Sequence, residues 1–170
     1  MLRWYYVFIF FASVHSQTTN VQQCRRNSGE LPINAYIEGC IDPPCALTQL
    51  EDCVIHIVFR APRQIRSMRT LATAEVIPLP VPIDYPLEER AVTCNFLTNT
   101  FCPLQETEVV QYTLKMFIES IFYAGIRANI EFRIVDQDNQ PVMCLRAGIV
   151  IVRGNNARAA NTTVLDLTDM

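Results

Sequence analysis

The sequence has few glycines, a single tryptophan and, beyond its first residues, no long apolar run. Of its 170 residues, 5 are glycine and 18% are charged. Charge or proline interrupts every apolar run after residue 14, whereas a membrane-spanning helix needs about 20 apolar residues. The 14 basic and 17 acidic residues form no long basic cluster. We therefore expect neither a membrane span in the mature chain nor nucleic acid as a partner.

The first residues predict a secretory signal peptide. A short basic start, with Arg3, precedes an apolar stretch from Trp4 to Val14, and small residues stand near a cut after Ser16. We expect residues 1–16 to be removed and residues 17–152 to form one domain. Residues 153–170 are polar and aperiodic, which predicts a flexible tail carrying one glycosylation sequon at Asn161.

Residue types that support catalysis are scarce. His56 is the one histidine after the predicted cleavage site, and no nucleophile motif accompanies it, so we do not expect an enzyme. Asp136, Asp138 and Asn139 permit a calcium interpretation, but their loop lacks the glycine and the distal glutamate of an EF-hand. Asx-rich turns are the usual hairpin connection. We expect no metal and no cofactor.

Ten prolines and many short apolar runs favour an all-β domain. Ile126 to Val135 alternates apolar residues with Arg127, Asn129, Glu131 and Arg133, which predicts a strand with one buried and one wet face. Residues 142–152 should pair with it as a hairpin. Cys53 to Phe59 predicts a second alternating strand, with Cys53, Ile55, Ile57 and Phe59 on the core face. Residues 70–77 and 108–118 also resemble strands, and prolines 78 to 86 favour an extended edge segment.

Seven cysteines follow the predicted cleavage site. In an oxidising secretory compartment most of them should pair, and the odd count leaves one over. The residues alone leave the pairing open. The cysteines are Cys24, Cys40, Cys45, Cys53, Cys94, Cys102 and Cys144.

The order of the cysteines and their neighbouring segments resembles the ML lipid-recognition family, most closely its Niemann-Pick type C-two sterol-carrier branch. The shared features run from residue 24 to residue 152. They are an early Cys24, the CIDPPCAL segment, the CVIHIVF strand, the proline track PLPVPIDYP, the pair CNFLTNTFC followed by Pro-Leu, and FRIVDQDNQPVMC.

This resemblance implies an immunoglobulin-like β-sandwich of two antiparallel sheets with a lipid cavity between them. It also implies three disulfides, Cys24 with Cys144, Cys40 with Cys45, and Cys94 with Cys102. Closing the first loop should stabilise the fold by about 4 to 5 kcal/mol in the chain-entropy model. By exclusion, Cys53 would be an unpaired thiol, for which packing as a small hydrophobe is the first interpretation and reactivity or an intermolecular bridge the second.

The resemblance also implies ligand contacts. By motif, Ile83 takes the position of a phenylalanine that follows the proline track in the sterol carriers, Tyr123 matches a tyrosine at the pocket mouth, and Phe132 takes a tryptophan position. The walls would include Ile55, Ile57, Ile130 and Ile134. Plain core packing is an alternative role for each. Leu50, Asp84, Ala124 and Leu145 depart from the family pattern, which leaves cholesterol, other sterols, fatty acids and small semiochemicals open as ligands.

The resulting functional hypothesis is a monomeric, secreted or lysosomal carrier of a sterol or other lipid. It would contact membranes transiently and deliver its cargo to them, to a membrane sterol transporter or to a receptor. Two alternatives stay open. One is a lipid-recognition module of immunity or chemosensation, of the lipopolysaccharide co-receptor, mite-allergen or semiochemical-carrier type; the other is a structural sandwich with a closed core.

Overall fold

The computed structural model describes residues 17–79 and 81–154. The predicted signal peptide, most of the predicted tail and the sequon at Asn161 lie outside these ranges. Eight strands form within them: β1 (Asn34–Ile37), β2 (Cys45–Thr48), β3 (Asp52–Arg60), β4 (Met68–Ile77), β5 (Pro82–Tyr85), β6 (Val109–Phe117), β7 (Arg127–Asp136) and β8 (Pro141–Val152).

The strands form two sheets, of order β1-β3-β6 and β2-β8-β7-β4-β5. Two short 3-10 helices, Glu88–Ala91 and Thr93–Phe96, connect β5 to the segment before β6. The predicted all-β sandwich is confirmed. It is antiparallel except for one pair, since β2 runs parallel to β8. No helix in the described ranges has the length and hydropathy to cross a bilayer.

Alternation along β3 and β7 produces the core between the sheets. In β3 the predicted core face is confirmed, because Cys53, Ile55, Ile57 and Phe59 are all buried. The proline-rich segment contributes β5, which pairs with β4 alone and forms an edge of the five-stranded sheet, as predicted. Proline is tolerated there because an edge strand leaves one row of backbone groups unpaired.

The alternation predicted that the outer face of β7 is exposed to water, but part of that face is buried. Glu131 is only 6% exposed, because residues 24–27 cross over it. Its carboxylate accepts hydrogen bonds from the backbone N–H groups of Arg25, Arg26 and Asn27 and from the Asn27 side chain. Burial alone would raise the pKa of Glu131, but these donors outweigh it and lower the pKa below its ordinary value.

Three disulfides join distant and local segments. Cys24–Cys144 fastens the N-terminal segment to β8 across 120 residues of sequence, while Cys40–Cys45 and Cys94–Cys102 close short loops. Their Cα–Cα distances of 5.8, 5.4 and 5.8 Å lie in the range that unstrained bridges need. Cys53 is free and buried.

Leu50, which stands where the resembled branch has a glycine, has a backbone φ of 63°. This is the left-handed region, in which a side chain costs conformational energy. The turn between β2 and β3 therefore has a geometric reason to favour glycine, and this chain forms it without one.

Candidate functional site

The two ends of the sandwich differ. At the closed end, where β3 reaches Arg60 and β6 begins at Val109, large side chains fill the space between the sheets. At the open end, where β3 begins at Asp52 and β6 ends at Phe117, a cavity of about 90 Å³ remains. Side chains from both sheets and from residues 118–126 line it: Leu47, Ala72, Ala74, Val76, Ile83, Tyr85, Met116, Phe117, Ile118, Phe122, Ile126, Ala128, Ile130, Ile149 and Ile151.

Small residues on the five-stranded sheet create this space. Ala74 of β4 lies between Ile83 of β5 and Ile130 of β7, and Ala128 pairs with Val76. Because an alanine side chain ends at Cβ, this part of the sheet does not reach Met116 and Phe122 on the other wall. Close packing, the rule in protein interiors, is relaxed here.

The chemistry of the cavity is almost entirely that of hydrocarbon. Among the fifteen described residues of the lining, none is charged and only Tyr85 carries a hydroxyl group. Burial, followed by the negative charge of Glu119, raises the pKa of Tyr85 above its ordinary value. The hydroxyl is therefore neutral at physiological pH and can act as a hydrogen-bond donor. Such a lining can hold an apolar molecule.

The closed end instead contains a packed polar contact. Thr70 donates a hydrogen bond of 2.9 Å to the Tyr112 hydroxyl and lies 2.8 Å from the Thr93 hydroxyl. All three residues are fully buried, and burial raises the pKa of Tyr112 to about 12. Buried hydroxyls that contact one another in this way fix the packing of the closed end.

Two of the seven residues that the resemblance assigns to the ligand, Ile83 and Ile130, line the cavity. Four others are buried side chains outside the lining: Ile55, Ile57, Phe132 and Ile134. The reason is position along the strands, because β7 passes from the open end at Ala128 towards the closed end at Ile134. Tyr123 is 77% exposed and stands beside lining residue Phe122.

Several lining residues were not singled out from the sequence. Tyr85 and Phe122 lie in segments without alternation. The residues that line the cavity with them come from other parts of the sequence and are identified only in the folded structure. Ala72 and Ala74 did carry a signal, since small residues at alternate positions of one strand face predict a shallow part of the core.

A rim of exposed apolar side chains surrounds the open end. Leu79 and Val81 lie between β4 and β5 in the sequence, and Ile121 and Tyr123 lie in the segment that forms the opposite wall. We call these four residues the rim. Each is more than half exposed. Clustered exposed apolar residues mark interaction surfaces in soluble proteins.

The other chemically notable groups lie away from the cavity. His56, on the outer face of β3, contacts Glu38 at 2.8 Å and Thr113 at 3.1 Å. Asp136 is ion-paired with Arg63 at 2.7 Å and accepts the backbone N–H groups of Asp138 and Gln140. The segment from 136 to 140 is thus a hairpin turn organised by Asp136.

The buried Glu131 carboxylate also lies near two cysteine sulfurs, a combination that can ligate metals. Those sulfurs belong to the Cys24–Cys144 disulfide, and the carboxylate already accepts hydrogen bonds from residues 25–27. The group therefore fastens the N-terminal segment to the sheet.

The free thiol of Cys53 lies on the inner face of β3, opposite Met116 of β6. Burial, with smaller contributions from Glu38 and Asp52, raises the pKa of the thiol to about 12. A thiol of this kind is protonated at neutral pH and packs as a small apolar group.

Comparison with known proteins agrees with this architecture. A model of the ML-domain family matches residues 18–151. Among solved structures, the chain is similar to a Niemann-Pick type C2 protein from Japanese carpenter ant, with a TM-score of 0.66 and 16% sequence identity. The alignment covers 77% of this chain and 98% of the ant protein. At this level of identity the likeness establishes a shared fold.

Proposed function

Because the chain belongs to the ML-domain family, we propose that it is a lipid carrier. It holds a sterol or a similar apolar molecule between its sheets and transfers it to a membrane, a membrane transporter or a receptor. The observation that carries this proposal is the cavity at the open end, whose lining is apolar apart from one hydroxyl. A sterol that loses several hundred Å² of contact with water would gain on the order of 10 kcal/mol before association costs.

The cavity must widen to take such a ligand. Its volume of about 90 Å³ is below the roughly 300 to 1,000 Å³ of ordinary small-molecule pockets. The wall offers a route, because β5 is a four-residue edge strand paired with β4 alone. The opposite wall includes residues 118–126, which lie outside the strands. Short edge elements and connecting segments open at lower free-energy cost than central strands.

The rim supports transfer at a membrane surface. Leu79, Val81, Ile121 and Tyr123 flank the cavity and would meet the bilayer interface together when the open end faces it. Partial burial of these side chains in lipid would hold the protein briefly at the membrane, with the cavity opening facing the bilayer that receives the ligand. Three disulfides support function in an oxidising compartment, outside the cell or in the lysosomal lumen.

The proposal is tested with the oxidised mature protein, a fluorescent sterol and donor and acceptor vesicles. We expect saturable sterol binding and protein-dependent transfer between vesicles. Leu79→Asp should slow transfer about tenfold while leaving binding in solution unchanged, because it places a charge in the rim. Val109→Asp is the matched control, since Val109 is an exposed apolar residue at the closed end.

The outcomes separate binding from transport. Binding without transfer would favour the recognition-module alternative over the carrier. If the protein binds no sterol, fatty acid or other apolar probe, lipid carriage itself is wrong.

A further inference from the structure

Tyr85 closes the cavity on the side of the edge strand β5. Its hydroxyl donates a hydrogen bond of 3.2 Å to the backbone carbonyl of Phe117, at the end of β6. Its ring packs against Phe122 with the ring centroids 5.9 Å apart. Tyr85 therefore connects the edge of the five-stranded sheet to the facing wall.

A second space lies on the other side of this connection. A groove of about 480 Å³ shares Tyr85, Met116, Phe117 and Phe122 with the apolar cavity. These four residues are the partition between the two spaces. The cavity alone is smaller than an ordinary ligand pocket, but the cavity and the groove together fall within the usual range.

The groove differs from the cavity in charge. Its remaining lining includes three carboxylates, of Glu88, Glu89 and Glu119, and one guanidinium, of Arg90. Arg90 is already engaged, since it donates to the Asp52 carboxylate at 3.2 Å and to the Lys115 carbonyl at 2.9 Å. The negative charges therefore outweigh the positive charge available to a ligand.

We propose that Tyr85 is the gate of the cavity, and that its opening joins cavity and groove into one site for an amphiphile whose polar end carries no negative charge. The inference rests on the proposed lipid-binding function and names the ligand class for it. The apolar body of the ligand occupies the cavity, and its polar end lies in the groove.

The physical argument has two steps. Opening the gate breaks one neutral hydrogen bond and one ring contact, both on an edge strand, and these are modest costs. Once the gate is open, a hydroxyl on the ligand can accept from Tyr85 or donate to the freed Phe117 carbonyl. A carboxylate, sulfate or phosphate would instead lie among three glutamates, where like charges repel.

The test compares two fluorescent probes with the same chain, cis-parinaric acid and its alcohol, at pH 7.5. We expect the alcohol to bind about tenfold more tightly than the ionised acid. Replacing Glu88 and Glu119 with Gln in one variant should narrow this difference by tightening binding of the acid.

The gate is tested by Tyr85→Phe, which removes only the hydroxyl. Stopped-flow association of the alcohol should be about fivefold faster than in the wild type, because the closed state loses its hydrogen bond. The matched control is Tyr36→Phe, because the Tyr36 hydroxyl accepts from the Gly39 N–H away from the cavity. Circular dichroism melts of each variant establish that the fold is intact.

Failure of the inference differs from failure of the proposed function. If the alcohol binds but Tyr85→Phe associates at the wild-type rate, Tyr85 is not the gate. If acid and alcohol bind equally well, the charge selection is wrong. If neither probe nor a fluorescent sterol binds, the lipid-binding proposal and this inference both fall.

Discussion

The closed end and the open end share β3, β4, β6 and β7, yet large side chains fill the core at the closed end and a cavity remains at the open end. At the closed end, the large side chains of Phe59, Tyr112, Met68 and Ile134 belong to one buried core cluster, which also includes the paired loop residues Ile65 and Leu104. At the open end, alanines occupy comparable positions on β4 and β7, and the rim is exposed. One core is thus packed at one end and left unfilled at the other, and under the proposed function a ligand would supply the missing contacts.

The largest expected effect is on the packing of the closed end. Phe59 is 2% exposed, and Phe59→Ala should lower the free energy of unfolding by about 3 to 5 kcal/mol, because it leaves a cavity among large neighbours. Urea denaturation measures the loss. Ile83→Ala is the control at the open end, where the half-exposed side chain should cost less than about 1 kcal/mol. Equal losses of unfolding free energy in Phe59→Ala and Ile83→Ala would contradict the conclusion that the two ends are packed differently.

A smaller effect is expected from the ion pair at the closed end. Burial would raise the pKa of Asp136, but the hydrogen bonds from Arg63, Gln140 and Asp138 outweigh it and lower the pKa below the ordinary value of 3.8. A carboxyl with a lowered folded-state pKa stabilises the fold above its unfolded-state pKa, and this contribution is lost as the pH falls through the folded-state value.

Asp136→Asn should therefore cost about 2 kcal/mol at pH 7, because it weakens contacts to a buried carboxylate. The difference from wild type should shrink as the pH falls below 3.8, the ordinary pKa of this group. Thermal melts across this range measure it, with Asp84→Asn at an exposed position as the control. A difference that stays constant down to pH 2 would show that the carboxylate charge of Asp136 does not contribute.

The sequence predicted the strands whose burial has a period of two. β3 buries every second residue, and in β7 the core-facing residues Ala128, Ile130, Phe132 and Ile134 are buried, so the apolar alternation in the sequence places both strands. β2 was not predicted because it has only four residues and pairs in parallel with β8, about a hundred residues away in sequence. The alternation predicts that Glu131 is exposed to solvent. It is wrong there because residues 24–27 bury this side chain, and a local pattern contains no information about a segment that crosses from elsewhere in the chain.

The candidate site was harder to predict than the fold. Ile130 and Ile134 are the same residue type on the same face of β7, so residue type does not separate the lining residue from the packed one. What distinguishes them is position along the strand. Ile130 lies between Ala74 and Ala147, whereas Ile134 lies between Thr70 and Met143, and this depends on register. The Tyr85 hydroxyl meets the Phe117 carbonyl only because β5 and the end of β6 face each other in the folded chain.

The smallest change in stability is expected from a variant that fills the cavity at the open end. Ala128→Leu should reduce the affinity for a fluorescent sterol about tenfold, because the added atoms occupy volume that the ligand needs. Its effect on unfolding should be at most a gain of about 1 kcal/mol, since filling a cavity improves packing. Ala46→Leu, at an exposed position of β2, is the matched control and should change neither quantity. Binding at wild-type affinity in Ala128→Leu would place the ligand elsewhere in the molecule. A loss of stability comparable to that of Phe59→Ala would mean that the open end is as tightly packed as the closed end.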